Sequence, residues 1–181
     1  MTKYRTWDID IFTTEYLAND YSHFHDDKIV QAFVNATKGE SDRGLVLISA
    51  AFLDDLLEGR MRHLLRKGNN SARNKLFDAV GPFSSVSAKI ETLFCFGDIS
   101  KDIRDDLNII RKLRNDYAHE WQDFTLLEPK NRDCISKLKN TSLFNSVIKA
   151  GDTLPIHPKT TFSLVVISLI SCLNILPSKA Q

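Results

Sequence analysis

Residues 41–67 read SDRGLVLISAAFLDDLLEGRMRHLLRK, and the spacing of their apolar side chains decides the fold class. Leu45, Ile48, Phe52, Leu56 and Leu64 fall on one stripe at helical spacing. Ser41 and Asp42 supply a cap and an early acid, and Gly68-Asn69-Asn70 supplies the stop. The sequence therefore predicts a long amphipathic helix from Asp42 to Lys67. Arg60, Arg62, Arg66 and Lys67 crowd its last turns, where cations suit the negative end of the helix dipole.

The same pattern continues on both sides. Asp26-Asp27 precede Ile29, Val30, Phe33 and Val34, which predicts a short helix stopped at Gly39. Further helices are expected over Ala72–Val80 and over Ser84–Phe96, divided by Gly81-Pro82. Ser100 then caps a helix with Asp102 in its first turn and Ile103, Leu107, Ile110 and Tyr117 on one face. Between Trp121 and Pro158 the pattern is irregular, with short helices expected around Asn131–Leu138 and Ser142–Ala150. The last helix, Thr160–Leu176, contains FSLVVISLISCLNIL and is apolar nearly all round, which marks a central element. With no repeat and no β-hairpin signal, the expectation is an all-α, single-domain helical bundle. It comprises an N-terminal arm at 1–25, a bundle at 26–176 and a C-terminal tail at 177–181.

The chain has 181 residues with Lys+Arg 24 against Asp+Glu 23, so nucleic-acid binding would need a local basic patch. Arg60, Arg66 and Lys67 are the candidates for that patch, and a solvated basic face is the plainer reading. Cys95, Cys134 and Cys172 are widely spaced and sit among apolar residues, as reduced, buried thiols would. The run Phe162–Leu176 is shorter than the roughly 20 residues that cross a bilayer. The N-terminus lacks the apolar core of a secretory signal, so a soluble, cytoplasmic protein without a membrane partner is expected. His23, His25 and Asp26 resemble a ligand cluster but lead into a helix cap, and no metal is expected there. No glycine-rich phosphate loop is present, so no cofactor is expected.

The residues with the most chemistry are Arg114-Asn115-Asp116-Tyr117-Ala118-His119. Four residues after Ile110 the stripe lands on Arg114, where a guanidinium needs a carboxylate, a phosphate or a wet groove. Histidine can act as acid or base near neutrality, and arginine holds a phosphate bidentately. His119 as acid/base, Arg114 on the phosphate and Asn115 in support would suit phosphodiester cleavage without a metal. Alternatively the six residues simply end a helix, with Arg114 paired to Asp54, Asp55 or Glu58.

Two family resemblances attach to these residues. RNDYAH resembles the Arg-x4–6-His motif of HEPN domains. The resemblance implies a dimeric helical bundle with a composite ribonuclease site, Arg114 and His119 being catalytic and Asn115 supporting. The order RGLVLISAAFLDDLLEGRMRHLL, GPFSSVSAKIETLFCFGDIS, then the helix to His119 followed by FTLLEP is similar to the mannitol operon repressor (MltR) family over roughly Ser41–Pro129. That likeness implies an all-helical transcriptional regulator. The chain departs from the enterobacterial repressors, which lack an intact Arg-x4-His at the corresponding helix end. Together these give a HEPN-like, metal-independent endoribonuclease of toxin or defence type, acting on RNA as a homodimer, with an antitoxin or regulatory protein as partner. The alternative is a non-catalytic MltR-like transcriptional regulator working through protein or DNA contacts.

Overall fold

A computed structural model describes residues 28–67, 69–119, 124–140 and 156–174. They form α1 (Lys28–Thr37), α2 (Asp42–Leu64), α3 (Asn70–Phe77), α4 (Val86–Cys95), α5 (Lys101–His119), α6 (Pro129–Ser136) and α7 (Pro158–Asn174). No strand occurs among the described residues, and the fold is all-α. The helix expected over Ser142–Ala150 and the boundaries at 25/26 and 176/177 lie outside the described residues.

The helix starts follow local chemistry. Ser41 accepts from the Gly44 amide at 3.0 Å, Asn69 from Ala72 at 2.7 Å and Ser85 from Ala88 at 3.1 Å. Each satisfies an amide that has no partner inside its own helix. At the end of α4, Gly97 adopts φ +70°, its amide reaches the Phe94 carbonyl, and the Asp98 amide reaches that of Leu93. This paired arrangement closes the helix and favours glycine at the left-handed position. At Gly81 a Cβ would lie 2.5 Å from the carbonyl oxygens of Lys75 and Leu76, so the close turn ahead of α4 requires glycine.

α7 is the centre of the bundle, buried without a break from Phe162 to Ser171. It packs on α1, α2 and α6, while α4 and α5 pack on each other and on α2. Leu45, Val46, Leu53, Leu57 and Met61 are the deeply buried apolar residues of α2. The stripe inferred from the sequence is therefore displaced: Ile48, Phe52, Leu56 and Leu64 are half-buried flanks. Neighbours cover α2 from several directions, which broadens its buried arc and shifts the centre. Phe52 still contributes by meeting the Phe33 ring edge-on at 5.5 Å.

The charged side chains in the interior include Arg60, Lys89 and Asp106, the last accepting from the Lys139 and Asn140 amides. Arg60 is 7% exposed; its Nε meets Asp98 Oδ2 at 2.5 Å and its Nη1 donates to the Leu173 carbonyl at 3.1 Å. It thus ties α2 to the turn after α4 and to the last carbonyls of α7. Lys89 is 4% exposed and places its ammonium 2.7 Å from Asp54 and 3.1 Å from Glu58. The cysteines depart from expectation: Cys95 and Cys172 are exposed and Cys134 is half-buried. Cys95 ends α4 away from the face carrying Ile90 and Leu93, and apolar sequence neighbours did not determine which way it points. Among the described residues no helix is long and apolar enough to cross a membrane.

Candidate functional site

The RNDYAH motif occupies the C-terminal turns of α5. Ser100 accepts from the Ile103 amide at 3.3 Å, and Asp102 lies in the first turn. Leu107, Ile110, Leu113 and Tyr117 are all at most 2% exposed and anchor the helix. After Ile110 the buried face steps by three, to Leu113, and not by four to Arg114. Arg114 is therefore exposed, which corrects the placement inferred from the stripe. A three-residue step is as natural on a helix as a four-residue one, and the apolar residue took the inward position.

Arg114 Nη1 donates to Asn115 Oδ1 at 3.2 Å. Among the described residues Arg114 forms no ion pair; of the acids proposed for it, Asp54 and Glu58 are held by other cations, and Asp55 is exposed. Lys89 binds Asp54 and Glu58, and Arg62 binds Glu58 at 2.9 Å. Burial pushes the Glu58 carboxyl up, but hydrogen bonds from Arg62 and Lys89 outweigh this and hold it below its ordinary value.

Arg114 and Asn115 face a cleft of about 660 Å³ between α2, α5 and the start of α4. Arg111, one turn earlier, lines the same cleft, as do Asp54 and the Ser84, Ser85 and Ser87 cluster. The floor is apolar and includes Leu53, Leu57, Leu107 and Ile110. This volume lies within the roughly 300–1,000 Å³ typical of ligand sites, and an apolar floor with few polar groups is their usual construction. Sequence reading missed Arg111, although its position three residues before Arg114 puts both on one helix face. It also gave no role to the serines.

The other candidates separate. His119 is the last residue of α5, while its side chain and Glu120 lie outside the described residues. Asp116 is exposed. Arg60 is removed from the expected basic patch by its burial against Asp98 and α7. Arg66 and Lys67 are exposed, and Arg66 donates to the His63 carbonyl at 3.3 Å. Among the described residues no group of three His, Cys, Asp or Glu could hold a metal ion. His23, His25 and Asp26 lie outside those residues.

No protein-family model matches the chain, and no curated protein matches it. Among solved structures, a chain of the MtlR–HPr complex from Escherichia coli is similar in fold, with a TM-score of 0.67 at 14% identity. The likeness covers 81% of this chain and 99% of that one. At that identity the likeness shows a shared helical fold.

Proposed function

We propose that the protein is a non-catalytic, MltR-like regulator that works through a protein–protein contact, with the exposed end of α5 around Arg114 and Asn115 forming part of the contact. The observation that carries this reading is the likeness to nearly the whole length of a chain from a structure described as a complex of two proteins, MtlR and HPr. The surface suits such a role. Arg114 is exposed beside a concave cleft with an apolar floor, and Leu47 at the same cleft is 40% exposed. Arginine beside apolar surface is a frequent anchor of protein interfaces. Direct DNA contact has less support: the net charge is +1, and Arg60 is lost to the interior.

The test places a photo-crosslinking amino acid at Leu47 in cells, identifies the captured protein, and titrates that purified partner against the purified chain by calorimetry. A saturable complex that Arg114→Glu disrupts and Lys112→Glu leaves intact supports the reading. A complex indifferent to Arg114→Glu counts against it.

One observation favours a second reading, the HEPN-like ribonuclease: Arg114 is not sealed in an ion pair among the described residues and stays available to a phosphate. That activity requires two chains to bring their motifs together. Its signature is RNA cleavage in EDTA that His119→Ala abolishes.

A further inference from the structure

Two arginines, one turn apart, line the same cleft, and among the described residues neither makes an ion pair. Arg111 Nε donates to Asn108 Oδ1 at 3.3 Å, and Arg114 to Asn115. The acid that lines the cleft with them, Asp54, is neutralised by the buried ammonium of Lys89 at 2.7 Å. Glu91, which attracts Arg111, is itself paired with Arg104 at 2.8 Å, so the polar edge of the cleft keeps an excess of positive charge, which favours an anion.

We infer that this cleft binds a small phosphate monoester with a compact apolar body. The two guanidiniums can share the oxygens of a dianion, since arginine matches phosphate geometry with paired donors. The hydroxyls of Ser84 and Ser87 and the amide of Asn115 line the same cleft and add neutral donors. At the start of α4 the Ser85 hydroxyl takes the Ala88 amide, so those of Val86 and Ser87 have no intrahelical acceptor. The cleft's 660 Å³ is far more than one phosphate group fills, and its floor of Leu53, Leu57, Leu107 and Ile110 offers no hydrogen bond. The site therefore selects a phosphate attached to something apolar over the bare ion. It is built within a single chain and needs neither a second motif nor His119, so it differs from a composite ribonuclease site. It also stands independently of the regulator reading, because it is measured on the isolated protein.

The experiment titrates phenyl phosphate and, separately, inorganic phosphate into the ¹⁵N-labelled full chain and follows amide chemical shifts. Phenyl phosphate should saturate, shifting Ser87 and Arg114 most, and should bind about tenfold or more tightly than inorganic phosphate because the ring is buried on the apolar floor. Arg111→Met and Arg114→Met should each weaken it about tenfold or more, the scale of one charge-assisted hydrogen bond. Lys112→Met, an exposed cation on the same helix, should leave it unchanged. Neither arginine is buried, so the variants should melt as wild type does. Three results would overturn the inference: unsaturable shifts scattered over the surface, equal affinity for the two phosphates, or unchanged binding in both arginine variants.

Discussion

Replacing Arg60 by methionine tests the interior ion pair directly. The substitution keeps most of the aliphatic stem and removes the guanidinium that meets Asp98 at 2.5 Å and the Leu173 carbonyl at 3.1 Å. The side chains of Arg60 and Asp98 are 7% and 6% exposed, so solvent screens the pair little. Asp98 would be left as a buried, uncompensated carboxylate, and removing one partner of such a pair costs about 3–5 kcal/mol. For a chain of this size each kcal/mol moves the melting temperature by roughly 2–4 °C. Arg60→Met should therefore lower Tm by about 6–20 °C in a thermal melt at pH 7. The double variant Arg60→Met/Asp98→Ala should recover a substantial part of the loss, because two neutral groups leave no stranded charge. A single variant within about 0.5 kcal/mol of wild type, as for an ordinary surface site, would refute the burial. Arg60 would then return to the basic surface.

Two further outcomes follow from the geometry. Gly97→Ala should destabilise by about 1 kcal/mol, because φ +70° disfavours an L side chain although a Cβ would meet nothing within 4 Å; an unchanged urea midpoint would contradict the turn described after α4. Hydrogen bonds from Lys101 and Lys139 hold Asp105 down from its ordinary 3.8 to about 2. Its contribution is therefore present above pH 3.8 and lost as pH falls through about 2. The stability gap between wild type and Asp105→Asn, measured by melts from pH 5 to 2, should shrink on acidification; a gap that widens would show the opposite linkage.

The all-α architecture was legible because helix signals are local. Ser41, Ser85, Ser100 and Gly97 mark ends that side-chain and backbone chemistry alone can set. The facing of individual residues was less legible. Three- and four-residue steps are equally helical, so only packing decides between Leu113 and Arg114 after Ile110. The fate of the charges was least legible. Arg60 reads as one cation in a basic helix end, and its partner Asp98 lies 38 residues away. Lys89 lies in the mixed polar and apolar stretch SSVSAKIETLF, and only the tertiary fold brings Asp54 and Glu58 to it. The candidate site divides similarly: RNDYAH was visible as a motif and Arg111 shares its helix face, whereas the serines meet Arg114 only through the packing of the start of α4 beside α5.

RNA cleavage in EDTA separates the two functional readings most directly. The purified protein and His119→Ala are incubated with structured and single-stranded RNA, and the products are resolved on a denaturing gel. A non-catalytic regulator predicts intact RNA in both reactions, at protein concentrations high enough to populate a dimer. Metal-independent cleavage by the wild type that His119→Ala abolishes would contradict that account and establish the ribonuclease.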